Sequence, residues 1–185
     1  SLVGSVRCVL ETGYKKPVSG VIYRTGHTLV CGLPVGGVDT GCADLELDGT
    51  LGYVTVYNSH VPRRGKTDLP FLGLSVGDKA WVLSTRAFEG VTSATSIDYW
   101  GQFPIADLEF ETSAPVSAGL RAWAPFIVGD EAASNTPGGI FEVHLRNTSG
   151  EAQSGLLVFS FPGPTNGVSG STAYDHKPLD TPTIK

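Results

Sequence analysis

The chain has 185 residues, 41% of them hydrophobic and 17% charged, the make-up of one packed domain of ordinary size or one large sandwich. A chain of this length buries about 70% of the surface its unfolded form exposes, so it needs no staple to fold. The formal net charge of −5 argues against a nucleic-acid partner, since phosphate neutralisation requires clustered Lys and Arg.

Short runs with period two recur between glycine and proline punctuation, and helical periodicity is hard to find. The expected class is therefore all-β. The 24 glycines and 12 prolines point the same way, because they break helices and make turns. The first predicted strands are 18–24 and 28–32. Next comes Leu33-Pro34-Val35-Gly36-Gly37-Val38-Asp39-Thr40-Gly41, a glycine-rich run where a strand should end. It marks a tight loop or a place where something packs against bare backbone. Asp48-Gly49-Thr50 reads as a turn, and Tyr53-Val54-Thr55-Val56-Tyr57 as a strand ending at Asn58. Residues 71–76 and 80–84 are predicted to pair as a hairpin around Gly77-Asp78-Lys79.

Strands are expected over 96–104 and 105–112. In the second, Leu108 and Phe110 face one side while Asp107, Glu109 and Glu111 form an acidic solvent face. Over 116–126, Val116, Ala118, Leu120, Ala122 and Ala124 share one face, with Arg121 and Trp123 on the other. Residues 125–137 read as a long polar loop. The strand 140–147 should turn Phe141, Val143 and Leu145 inward, and 155–161, apolar on both faces, suggests a central position. Roughly ten to twelve short strands favour a large two-sheet antiparallel β-sandwich. We expect that domain to span 1–162, with 163–185 as a Gly/Pro/Ser/Thr-rich loop or extended C-terminal arm.

The cysteines Cys8, Cys31 and Cys42 are odd in number and lack C-x-x-C spacing, so no metal site is expected. They read as buried free thiols in a reducing compartment, which makes the cytoplasm the expected location. No cofactor is implied. No run of about eighteen apolar residues occurs, so no membrane span is expected, and no signal segment opens the chain. The start at Ser1 and the lack of methionine point to processing, proteolysis or an artificial boundary. The densest basic group, Arg63-Arg64-Gly65-Lys66, reads as a solvated loop.

Three stretches carry a family resemblance. Gly32-Leu33-Pro34-Val35-Gly36-Gly37-Val38-Asp39-Thr40-Gly41 resembles the "G-[IVL]-P-[LV]-G-G-[IV]-x-x-G" opening of the N-terminal domain of glycoside hydrolase family 116. That family is of the non-lysosomal glucosylceramidase, or bile-acid β-glucosidase, type. Asp98-Tyr99-Trp100-Gly101-Gln102-Phe103-Pro104-Ile105-Ala106 is similar to its "Y-[FLW]-G-x-[YF]-P-x-A" stretch. Ala124-Pro125-Phe126-Ile127-Val128-Gly129-Asp130, followed by Ser134, Pro137 and Phe141, resembles "[ST]-P-F-I-P-x-D-x-x-x-S-S-x-P-x-x-[IV]-F". The strand end 142–148 parallels "x-[VL]-x-N-[ET]". Val128 stands where the family usually has proline, Asn135 where it has serine, and Asp39-Thr40 where small or apolar residues are common.

The resemblance implies an N-terminal β-sandwich that packs on a helical (α/α)6 catalytic domain, in the same polypeptide or on a separate chain. That family's nucleophile and general acid/base are carboxylates of the helical barrel. No catalytic residue is therefore expected here, and the glycoside substrate would be met only indirectly.

The residues themselves offer few competing sites. Retaining glycosidases hold two carboxyl groups about 5–5.5 Å apart. Asp44, Glu46 and Asp48 could share a strand face at about 7 Å spacing, but Asp48 suits the turn. A Ser-His-Asp hydrolase would recruit Ser84 with His27 or His60, yet no G-x-S-x-G elbow occurs. Asn147-Thr148-Ser149 fits a glycosylation acceptor or a strand-end turn. Trp81, Trp100 and Trp123 read as a sugar-stacking platform or as core and interface aromatics. The candidates for the substrate pocket or domain interface are Gly36, Gly37, Asp39, Asn58, Asp130 and Asn135, against the alternative that they only cap strands and shape turns. A free-standing carbohydrate-binding β-sandwich is the alternative function, and a self-assembling structural sandwich the third.

Overall fold

The computed structural model describes residues 5–9, 18–28, 32–56 and 69–160. Among them are fourteen strands and one short helix. In chain order the strands are β1 (Ser5–Val9), β2 (Val18–Arg24), β3 (Leu33–Val35), β4 (Gly41–Leu45), β5 (Thr50–Val56), β6 (Leu69–Pro70) and β7 (Leu72–Val76). They continue as β8 (Lys79–Val82), β9 (Thr92–Ser93), β10 (Ser96–Gln102), β11 (Ile105–Glu111) and β12 (Val116–Trp123). Helix α1 (Glu131–Ser134) precedes β13 (Ile140–Asn147) and β14 (Gly155–Phe159). The expected all-β, sandwich-like class is what the chain adopts.

One layer is a six-stranded sheet in the order β1-β2-β10-β11-β12-β13, antiparallel throughout. Two four-stranded sheets, β3-β4-β5-β6 and β14-β7-β8-β9, form the other layer. Period-two alternation explains the packing: Leu108 and Phe110 of β11 and Val116, Ala118, Leu120 and Ala122 of β12 are all buried. All of these but Val116 meet Val35, Ala43, Leu45 and Leu51 from β3–β5 in one apolar cluster, joined by Phe71, Leu72 and Leu83. Each large aliphatic side chain buried there contributes about 1.5–3 kcal/mol. A smaller cluster sets Leu74, Val76 and Trp81 of β7 and β8 against Val116. Both small sheets therefore cover the same face of the large one.

The turn at Asp48-Gly49 ties the two small sheets together. The Asp48 carbonyl accepts from Ser84 Oγ at 2.6 Å and from the Thr85 amide at 3.0 Å. Gly49 takes φ of +80°, and a Cβ there would stand 2.5 Å from the Leu83 carbonyl oxygen, so only glycine fits. Asp48 Oδ1 also accepts from the amide and hydroxyl of Thr50. Ser84, weighed above as a nucleophile, is buried and bonded into this joint.

Several expectations need correction. The loop 125–137 contains α1, a single helical turn, because Asp130 supplies an N-cap that a periodicity search over four residues cannot detect. The β7–β8 connection has two residues, Gly77-Asp78, since Val76 pairs with Lys79. Leu145 is exposed instead of inward: β13 is an edge strand among the described residues, and the core reaches only as far as Phe141 and Val143. The segment expected at the centre, 155–161, provides β14, which is an edge strand paired only with β7 among the described residues. Its apolar residues Leu156, Leu157, Val158 and Phe159 are exposed. The strand expected over 28–32 lies largely outside the described residues, as do Tyr57, Asn58, His60, the basic group 63–66 and the arm 163–185.

Candidate functional site

Two distant glycine and proline stretches meet at one end of the sandwich. After β3 the chain turns through Gly36 and Gly37. A Cβ on Gly36 would run into the Gly41 carbonyl oxygen, and one on Gly37 into Thr40 Oγ1 while standing 2.5 Å from the carbonyl oxygen of Thr136. Close backbone approach is thus the reason for glycine at both positions. The Val38 amide then donates to the Ser134 carbonyl at 2.9 Å.

The opposing segment is shaped by its own polar groups. Asp130 Oδ1 accepts from the Ala133 amide at 2.9 Å, capping α1. The buried Ser134 hydroxyl donates to the Asp130 carbonyl at 2.7 Å and accepts from the Ile127 amide at 2.9 Å. The Asn135 amide closes the turn on the Glu131 carbonyl at 2.9 Å.

Phe103, in the tight turn between β10 and β11, stacks edge-on against Phe126 with ring centroids 5.2 Å apart. Together with Pro34, Gly36, Gly37 and Val38 the two rings line a cleft of about 370 Å³, which Cys42 and Thr55 also reach. The rim is apolar and open: Val38 is 59% exposed, Phe103 and Phe126 each 45%, Ile127 53% and Val128 90%. Among the described residues no charged side chain lines the cleft. It can bury an apolar group or pack against a neighbouring surface, and the Cys42 thiol is the titratable side chain that reaches it among the described residues.

Of the six candidates, Gly36, Gly37 and Asn135 are brought together here, and Asp130 stands at the start of the same helical turn. Asp130 and Asn135 act as caps. Asp39 is exposed beside the turn, and Asn58 lies outside the described residues. Sequence reasoning passed over Phe103 and Phe126. Their signal was available: each is a large aromatic next to proline at a strand end, where the core-facing alternation does not require one.

The carboxylates fall elsewhere. Asp44 and Glu46 are buried, and Asp48 sits in the turn, so the three do not form an open pair. Cys42 is a free thiol with Sγ 3.5 Å from Thr55 Oγ1 and 3.8 Å from Asp44 Oδ1. Burial holds the Tyr99 hydroxyl well above the usual tyrosine range, and it bonds the Leu45 carbonyl at 3.0 Å. On the outer face of the large sheet, burial pulls the Asp107 carboxyl up to about 6, with His144 opposing and Glu142 adding to it. Arg121 closes on the same carboxylate through Nε at 2.7 Å and Nη2 at 3.1 Å, which favours the ionised form. The pair is therefore charged at neutral pH. Burial, and the Asp107 charge after it, also raise Glu109. Among the described residues no group of three His, Cys, Asp or Glu side chains is placed to hold a metal ion. No helix among them is long and apolar enough to cross a membrane.

Fold and site together define an all-β sandwich domain with an open, largely apolar cleft at its glycine-rich end. The family model described as beta-glucosidase 2, glycosyl-hydrolase family 116 N-term, matches residues 32–182, and the chain belongs to that family as its N-terminal domain. All three resembling stretches fall inside the match. No curated protein matches the chain.

Proposed function

We propose that this chain is the non-catalytic sandwich of a β-glucosidase or glucosylceramidase-like enzyme, docking through its glycine-rich end on a helical catalytic domain and shaping one edge of its sugar pocket. The observation that carries the reading is the open apolar rim of Val38, Phe103, Phe126, Ile127 and Val128 around a cleft that no charged side chain lines among the described residues. Contiguous exposed apolar surface of this kind marks interaction sites in soluble proteins. The rim is built from the same three stretches that carry the family pattern. The cytoplasmic setting belongs to the same proposal and is supported by the free thiol of Cys42.

Size-exclusion chromatography with light scattering tests it. Mixed with a family-116 catalytic domain, the chain should co-elute, and glycosidase activity should travel with the complex. Val128→Asp, at a side chain 90% exposed, should abolish co-elution while changing stability by less than about 0.5 kcal/mol. Co-elution that survives both Val128→Asp and Phe126→Ser would show that the rim is not the docking surface.

A further inference from the structure

Among the described residues the sheets end in β1 and β13, in β14 and β9, and in β3 and β6. Edge strands offer unpaired N–H and C=O groups to other chains, and short length, proline or charge guards against that. β6 and β9 have two residues each, and β3 has three with Pro34 among them. β1 carries Arg7, and β13 carries Glu142, His144 and Arg146. β14 has none of these guards. Its sequence Gly155-Leu156-Leu157-Val158-Phe159 is apolar throughout, and every residue of it is exposed.

Hydrogen bonding decides which backbone groups β14 can offer. The Leu83 amide donates to the Leu72 carbonyl at 3.0 Å and the Ser160 amide to the Phe71 carbonyl at 2.7 Å, so alternate residues of this stretch turn to opposite neighbours. Leu72, Leu74 and Val76 face β8, and Gly73 and Ser75 face β14. Val158 and Leu156, their partners in register, therefore bond to β7. Gly155 and Leu157 direct their N–H and C=O groups off the sheet. Phe159 anchors the end of the strand, its ring centroid 5.8 Å from that of Phe71 and 6.0 Å from that of Phe141.

We infer that β14 is a self-association edge, on which a second copy of this chain pairs antiparallel about a two-fold axis at Leu156. In that register the backbone groups of Gly155 meet those of Leu157 in the other copy, and the reverse. Leu156, the most exposed apolar side chain of the strand, lies against its own copy at a non-hydrogen-bonded position, about 4.5 Å apart at Cα. Charge favours a second copy as the occupant. Two-fold pairing sets side chains near their own kind, and a chain of net charge −5 repels its copy wherever acidic groups meet. Residues 152–160 carry no charge, so here two copies meet without that repulsion. An unlike partner steered to an acidic chain by opposite charge finds nothing to pair with on this strand. The contact is small: a five-residue edge buries less than the roughly 800 Å² per partner of a standard interface, so the dimer is weak. It uses no residue of the rim and does not rest on the docking proposal.

Sedimentation velocity of the 185-residue chain from about 5 to about 500 µM tests the edge. We expect monomer at the low end and dimer at the high end, with a Kd on the order of 100 µM. Leu156→Lys, which sets two like charges face to face, should weaken the dimer about tenfold or more and leave the melting temperature of the dilute chain unchanged. Amide exchange gives a readout that needs no variant. Exchange at Leu157 should slow as the concentration rises, while exchange at Leu156 and Val158, already bonded to β7, should hold steady. Val128→Asp should dimerise as the parent chain does, which separates this result from the docking test. A chain that stays monomeric at about 500 µM, or a folded Leu156→Lys that dimerises as the parent does, overturns the proposal. So does a Leu157 amide as protected as that of Leu156 in the dilute chain, because another segment would then hold the edge.

Discussion

Gly36 shows how a residue type is imposed by its surroundings. The space where its Cβ would sit holds the Gly41 carbonyl oxygen, with Cys42 Cα 2.8 Å away. Backbone on both sides leaves little that can give way. Gly36→Ala should therefore cost about 1–3 kcal/mol, read as a lower urea midpoint at unchanged slope. A midpoint equal to that of the parent chain would mean that the loop relaxes freely. Glu109 makes a different point at the same scale. Its carboxyl is raised, so below neutrality the folded chain takes up a proton that the unfolded chain still leaves off. That stabilisation is fully present below the ordinary glutamate value and is lost as pH rises through the raised one. Glu109→Gln should flatten this part of the stability–pH curve, checked by denaturation at several pH values between 4 and 7, on the order of the ordinary and neutral limits. A slope unchanged in Glu109→Gln would assign the effect to another group.

Among the elements, β12 and β14 teach opposite lessons about apolar pattern. Alternation in β12 placed its inward face correctly, from Val116 to Ala122, because one face of a central strand must be buried and the other is free. In β14 the run Leu156-Leu157-Val158-Phe159 is apolar on both faces, which suggests a centre, yet the strand is an edge with Leu156 69% exposed. Pattern reports what a strand is able to bury, and topology decides what lies beside it. Leu156→Lys should accordingly shift stability by less than about 0.5 kcal/mol, whereas at a central position it would unfold the domain. Thermal melts of the two chains decide the matter. The α1 turn belongs to the same scale: Asp130, Ser134 and Asn135 make it through caps and one buried hydroxyl, with no periodic apolar face to announce it.

At the scale of the whole molecule, the two small sheets share one face of the large sheet, and on its other face the row that holds Trp100 continues into Ile22, which is buried. That division gives the chain two separate surfaces, the apolar rim at the glycine-rich end and the tryptophan-bearing outer face. A rim variant that loses the catalytic domain should therefore keep the melting temperature of the parent chain. Loss of docking together with a lower melting temperature would indicate a fold defect instead.

The sequence by itself determined the all-β class, the inward residues of β11 and β12, the hairpin at Gly77 and the family pattern in the glycine-rich stretches. These follow from local rules: period-two alternation, turn chemistry, and glycine where backbone must pass close. It also indicated Gly36, Gly37 and Asn135, though not that they touch. Only the tertiary structure decided that the 33–41 and 124–137 stretches meet, through Val38 on Ser134, and that Phe103 stacks on Phe126 at their junction. It alone separated Trp81 from Trp100 and Trp123, and put β14 at an edge. The physical reason is that strand order and loop contact depend on which distant segments bury one another, and no local spacing in the chain encodes that choice.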